Sequence, residues 1–324
     1  MRVLLLVSFL ILMGLSGCAS RNGLHTTWRT GDHQKLLEKQ KAGMSTREEA
    51  PKNLPDMTAA EYEMVGDNYL LQNNLPMAFV HYDKALRMAP GKVSLRYKKA
   101  SIYIKRHVLD EALRELQEVL NTDQNFALAH EGIGHVFLLL GKFSESEAHL
   151  QRAIALDASL WKSHNFLGMV YDHQRRFDAA ITSYKASVAL KKDDGSLYNN
   201  LGVSYARKGE YDYAMRAFEK ALSTGYTDAR VYNNLGLALT KLGREQEALS
   251  AFSKGGDKSQ AYNNVGVIYL TDGKYREAVA AFEKAMEVSP RFYTKASENL
   301  RIAQQALAAS PPSPPVLSAP AGVK

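Results

Sequence analysis

Small residues at Gly66, Ala100, Gly134, Gly168, Gly202 and Gly236 stand 34 positions apart, and Gly266 follows after 30. A period of this size means that one supersecondary unit is repeated, and that each copy buries its apolar face only by stacking on the next. Counting back seven residues sets seven repeats at 59–92, 93–126, 127–160, 161–194, 195–228, 229–258 and 259–292. Other columns keep the same register. Three residues after each small position come Tyr69, Tyr103, Phe137, Tyr171, Tyr205, Leu239 and Tyr269, and sixteen after it come Tyr82, Leu116, Leu150, Tyr184, Phe218, Phe252 and Phe282. Ala or Ser recurs twelve positions on, from Ala78 to Ala278, and a turn recurs as LGK, QRR, KGE, LGR and DGK.

Two amphipathic helices per repeat account for these columns. Glycine inside a helix costs roughly 0.5–1 kcal/mol relative to alanine, so its recurrence needs a return. Close approach of the two helices supplies it, and the Tyr69 column is expected to fill the space that the small residue leaves. The sixth repeat, FSKGGDKSQAYNN at its end, is four residues short, about one helical turn. It reads either as a tolerated deletion with a glycine cap or as a local change of superhelical pitch.

The pattern resembles the tetratricopeptide repeat over residues 59–292. The resemblance implies an all-α superhelical solenoid whose first helices line a concave surface. The segment FYTKASENLRIAQQALAA from Phe292 keeps the helical period with more polar positions, so 293–309 is expected to be the C-terminal capping helix.

Both ends differ from the repeats. MRVLLLVSFLILMGLSGC has a positive Arg2, a short apolar run and small residues before Cys18, so 1–17 reads as a signal peptide. Leu-Ser-Gly-Cys resembles the lipobox of bacterial lipoproteins, and the chain's one cysteine stands where lipidation requires it. The alternative is a plain signal peptide with an incidental thiol. Several acyl chains at roughly 0.8 kcal/mol per buried methylene make a stable anchor. With Ala19 and Ser20 next, the resemblance implies an outer-membrane lipoprotein facing the periplasm. Residues 18–58, with scattered Gly and Pro, read as a mostly flexible tether with one short helix around 33–42, and 310–324 as a disordered Pro-rich tail.

YNNLG at 198–202, YNNLG at 232–236 and YNNVG at 262–266 place paired asparagines on three first helices. In the family's arrangement the position two before the small residue points into the concave surface. Asn200, Asn234 and Asn264 hold it, with Asn199, Asn233 and Asn263 beside them. A carboxamide both donates and accepts, matching a peptide bond. Helices roughly 8–10 Å apart space such groups at about three extended residues. The ladder therefore either grips an extended peptide by its backbone or bonds adjacent helices. Binding is preferred because Ser196, Val203, Leu237, Gln260 and Val267 nearby are small or uncharged. In the basic first helix of repeat two, Lys98 and Lys105 share a stripe, read as a solvated face or as a seat for an acidic terminus or headgroup.

Nothing in the sequence points to catalysis, a cofactor or a metal. HEGIGH at 130–135 is one residue too long for HExxH, and His130 and His164 fall in a packing column. GVSYA around Ser204 is no nucleophile elbow, and LGKFS at 140–144 lacks the upstream glycine of a phosphate loop. A formal charge of +7 without a Lys/Arg tract does not suggest nucleic acid. The lipobox, the tether, the short repeat running into AYNNVG and the finish SPRFYTKASENLRIA together resemble the TadD family of Flp (tight adherence) pilus assembly lipoproteins. That resemblance implies a pilotin-like scaffold for a Flp or type IV-type pilus, with a secretin or another assembly component as protein partner. The competing expectation is an envelope adaptor presenting substrates to a peptidase or peptidoglycan enzyme.

Overall fold

The computed structural model describes residues 57–289 and 294–310. Cys18, nearly all of the tether and the tail from Pro311 lie outside them. Among the described residues there are fifteen α-helices and no strands, and no helix is long and apolar enough to cross a membrane. The chain divides at residue 192 into two compact units. In the first, four helical hairpins pair α1 (Ala59–Leu71) with α2 (Leu75–Met88), α3 (Val93–Lys105) with α4 (Leu109–Thr122), α5 (Ala127–Leu139) with α6 (Phe143–Leu156), and α7 (Trp161–His173) with α8 (Phe177–Leu190). In the second, α9 (Gly195–Lys208) pairs with α10 (Tyr211–Ser223), α11 (Ala229–Lys241) with α12 (Glu245–Gly255), and α13 (Lys258–Thr271) with α14 (Tyr275–Val288). A last helix, α15 (Thr294–Ala308), packs on α14 and α13.

The glycine column is explained by the second helix of each hairpin. A Cβ on Gly66 would lie 2.6 Å from the Tyr82 ring, on Gly168 2.6 Å from Tyr184, on Gly202 2.5 Å from Phe218 and on Gly266 2.6 Å from Phe282. This corrects the expectation that the Tyr69 column fills the space. Those rings instead pack beside the second helix, as Tyr69 on His81 (centroids 5.3 Å) and Tyr205 on Tyr213 (5.3 Å). Each fully buried ring such as Tyr82 or Phe218 contributes roughly 1.5–3 kcal/mol, which outweighs the helical cost of the glycine beneath it. Burial also needs the phenols paired: Tyr82 donates to Asp67 Oδ1 at 2.7 Å and Tyr184 to Asp172 Oδ2 at 3.0 Å.

Every hairpin turns on one left-handed residue at the same register: Asn73, His107, Gly141, Arg175, Gly209, Gly243 and Gly273. Four of the seven are glycine, which adopts positive φ without a Cβ penalty. In the shortened repeat, α12 has 11 residues and ends at Gly255, where a Cβ would stand 2.9 Å from both the Ala229 carbonyl oxygen and Asn233 Oδ1.

Successive first helices pack on one another: α3 on α5 and α5 on α7 in the first unit, and α9 on α11, α11 on α13 and α13 on α15 in the second. Successive second helices make at most marginal contact. Within each unit the stack therefore curves with its first helices inside, giving a solenoid with a concave first-helix face.

A candidate polypeptide-binding face

On α9, α11 and α13 the six asparagines divide into two kinds. Asn234 Nδ2 donates to Asn199 Oδ1 at 3.0 Å, and both residues are 6% exposed. On the next element the pattern repeats, with Asn299 Nδ2 donating to Asn263 Oδ1 at 3.0 Å. In each case the second asparagine of one repeat, or its counterpart on α15, reaches back to the first asparagine of the repeat before. These amides join neighbouring helices.

The matching bond between Asn264 and Asn233 does not form. It would cross the junction behind the shortened repeat, 31 residues apart instead of 35 or 36. The missing turn moves Asn233 against the end of α12, its Oδ1 lying beside Gly255. Asn233 and Asn264 are both half-buried, and neither amide bonds to another described side chain. At this open step of the ladder two carboxamides stand outside the inter-helix bonds, that of Asn233 with its oxygen turned to the end of α12. Asn200 is half-buried on the same face and has a partner of its own.

Around the open step the face is electrostatically quiet. Leu237 and Val267 are half-buried, while Val203 is 6% exposed. Cations at the edge are held by acids of the same unit: Lys208 by Glu210 at 2.6 Å, Arg230 by Asp228 at 2.7 Å, and Lys241 by Asp272. Hydrogen bonding to Asp228 keeps Arg230 firmly charged, its pKa raised further.

The first unit carries charge on the equivalent face, and that charge is internally matched. Lys98 Nζ lies 2.8 Å from Glu63 Oε1 and 2.7 Å from Asp67 Oδ1, above the Tyr82 ring at 5.5 Å. Burial opposes its charge, but the hydrogen bonds it donates to Asp67 and Glu63 outweigh burial and raise its pKa. Lys105 is exposed and shares none of these contacts. The two lysines are thus in different environments, and an anionic ligand would have to displace two carboxylates to reach Lys98. Beneath Lys98, Lys99 is buried between Asp83 (2.9 Å) and Glu115 (3.3 Å). Further along, buried Glu131 accepts from Ser163 Oγ at 2.8 Å and ties α5 to the start of α7. Burial pushes the Glu131 carboxyl up in pKa, and it pushes Tyr97 nearby up to about 12. His135 stacks on Phe166 with centroids 4.1 Å apart, and burial, with Lys162 and His107 adding, lowers it to about 4. Among the described residues no group of three or more His, Cys, Asp and Glu could hold a metal ion.

Two models of the tetratricopeptide repeat match this chain, one over 97–160, 131–196, 167–226 and 199–256, the other over 259–292. Together they span well over half of it. The chain is a tetratricopeptide repeat protein.

Among solved structures with this repeat architecture, the APC/C hetero-tetramer Cut9–Hcn1 is 22% identical with a TM-score of 0.54, covering 84% of this chain and 51% of that one. It shares the fold. A MamA structure is 27% identical over 51% of this chain and 91% of that one, with a TM-score of 0.42. Two curated Arabidopsis thaliana relatives also match. "Inactive TPR repeat-containing thioredoxin TTL3" is 25% identical over 28% of this chain, and "TPR repeat-containing thioredoxin TTL4" is 27% identical over 37%. The match spans only 13% and 16% of those proteins' lengths. What they share with this chain is the tetratricopeptide repeat, a scaffold that binds proteins or peptides.

For a tetratricopeptide repeat protein the sequence columns placed the asparagines on the first helices but did not give their pairing. The Lys98 contacts were discoverable, since Glu63 and Asp67 lie 35 and 31 residues upstream, one repeat away. Glu131 and Ser163, 32 apart, follow the same rule.

Proposed function

We propose that this protein is a lipid-anchored, periplasmic protein-binding scaffold, a pilotin-like assembly factor for a Flp or type IV-type pilus. The observation that carries the reading is the first-helix face of the second unit, where Asn200 and Asn264 stand half-buried near Leu237 and Val267. Amides beside half-buried Leu237 and Val267 suit an extended polypeptide gripped by its backbone. The lipobox cysteine, Cys18, supplies the address, and the wording of the sequence from AYNNVG onward supplies the choice of machine. A tether to the bilayer raises the effective concentration of a captured subunit where a secretin must assemble, with no new contact needed.

Deleting the gene should reduce surface pili and mature secretin multimers, and the full-length chain should restore both. A Cys18→Ser form should restore them poorly and leave the outer-membrane fraction while keeping its helical content. Normal pili in the deletion strain, with altered peptidase substrates or cell shape, would move the reading to an envelope adaptor.

A further inference from the structure

One pair of sequence columns meets across each of the first three hairpins. In repeat one Tyr62 lies against His81 with ring centroids 5.9 Å apart, and in repeat two Arg96 pairs with Glu115 at 3.1 Å. In repeat three the same two positions hold His130 on α5 and His149 on α6. Later repeats carry Ser183, Ala217, Ala251 and Ala281 where His149 stands. Repeat three alone therefore sets two imidazoles against each other, a base facing a base where its neighbour has an acid facing a base.

Their geometry is that of a chelate. Nδ1 of His130 lies 3.1 Å from Nδ1 of His149. Two nitrogens at that separation subtend about 98° at an ion bonded to each at about 2.05 Å, between the square and the tetrahedral angle. The far nitrogen of His130 lies 3.2 Å from the Gln124 carbonyl oxygen, which only accepts, so Nε2 carries the proton and the Nδ1 lone pair faces His149. A backbone carbonyl on the far nitrogen is a common way of orienting a metal-ligating histidine. Without an ion, His149 donates its Nδ1–H to His130. Moving that proton to Nε2 of His149 frees the second lone pair, and no proton is lost overall.

The surroundings tolerate a cation. Both rings are half-buried, so solvent reaches the pair. Arg152, on the next turn of α6, bonds Asn125 Oδ1 at 2.7 Å, and Lys142 sits over the Phe137 ring at 5.7 Å. Glu145, one turn before His149 on the same face of α6, is exposed and adds negative charge. Burial, with charge from His130 adding, lowers the His149 pKa, and a neutral ring is the form that binds metal.

We propose that His130 and His149 chelate a divalent transition-metal ion, of the zinc and copper class that imidazole suits, through their two Nδ1 atoms. Two protein nitrogens fall short of the three or four of resident zinc sites, so the ion exchanges readily and keeps positions for water or for a donor from another molecule. Once bound, it braces α5, α6 and the loop before α5. The proposal is independent of the reading of the concave face.

The test titrates Zn2+ and Cu2+ into the untagged full chain with Cys18→Ser, which removes the one thiol. One Zn2+ per chain is expected at a site that His130→Ala or His149→Ala weakens at least about tenfold, because either change breaks the chelate. His164→Ala, in the same column as His130 but opposite Ser183, should leave that affinity unchanged. Electron paramagnetic resonance of the Cu2+ form should show two coordinated imidazole nitrogens in the parent and one in either variant. Circular dichroism confirms folding, and His149→Phe, which keeps the ring volume, replaces the alanine variant if that one unfolds. Zn2+ affinity unchanged in the His130 and His149 variants marks an adventitious ion only and overturns the proposal. It is equally overturned by the same loss in His164→Ala, or by no Zn2+ bound at millimolar concentration.

Discussion

Replacing Lys99 by methionine keeps the apolar stem and removes a charge that two acids in the interior of the first unit depend on. The lysine side chain is 9% exposed, and its Nζ stands 2.9 Å from Asp83 and 3.3 Å from Glu115, which are 19% and 18% exposed. Removing one partner of a buried pair costs about 3–5 kcal/mol when the remaining charge is left alone. Here each acid keeps a second partner, Arg87 at 3.0 Å for Asp83 and Arg96 at 3.1 Å for Glu115. Arg87 is 79% exposed and its pairing is weak, so the loss is expected at about 2–3 kcal/mol. Trp161 on α7 of the same unit reports unfolding in urea in a Trp28→Phe background. The pH dependence has a defined sign. Burial raises the Asp83 pKa, but hydrogen bonding and charge from Lys99, with Arg87 adding, outweigh it and leave the pKa below the usual carboxylate value. That stability is present above the unfolded carboxylate pKa and is lost as pH falls through the lower folded one. The difference between wild type and Lys99→Met should therefore shrink in acid. It should survive 1 M salt, since a buried pair is poorly screened. A loss under about 0.5 kcal/mol at pH 7, or one abolished by salt, would refute the buried-network account.

Gly168→Ala should destabilise by about 1–3 kcal/mol, because its Cβ would meet the Tyr184 ring at 2.6 Å, whereas Gly91→Ala, with nothing within 4 Å, should cost little; paired melting curves decide it. Arg175→Gly relieves a left-handed residue at φ 60° and should stabilise by about 0.5–1 kcal/mol in urea titrations, and a loss would contradict the strain assigned to that turn. His135 has a folded pKa lowered to about 4 by burial first and then by Lys162 and His107, so it opposes protonation in the fold. Stability of the first unit should decline as pH drops below about 6.5 and level off near 4, and His135→Phe, which keeps the stack on Phe166, should flatten that decline.

The 34-residue recurrence was enough to read the hairpins and their order, because a fixed period leaves one way to stack identical faces. It did not say which aromatic column covers the glycines. Both Tyr69 and Tyr82 sit on apolar stripes, and only the crossing of the two helices places Tyr82 over Gly66. The asparagine pairs were legible as a ladder, yet a carboxamide bonds equally well to a neighbour or to a ligand. The choice depends on offset: at 35 or 36 residues the amides meet, and at 31 they part. The four-residue deletion was visible in the sequence, but its effect on Asn233 and Asn264 appears only once the helices are positioned. Lys98 read as open because its acids lie on the preceding repeat.

A photo-reactive amino acid placed at Leu237, beside the open step, tests the binding face most directly when cross-linked in growing cells and compared with the same group at Lys284 on the second-helix side. The account predicts an adduct with a secretin or another pilus-assembly subunit from position 237, lost on replacing Asn233 and Asn264 by alanine, and none from position 284. Adducts equal at both positions, or no protein adduct from position 237, would contradict it.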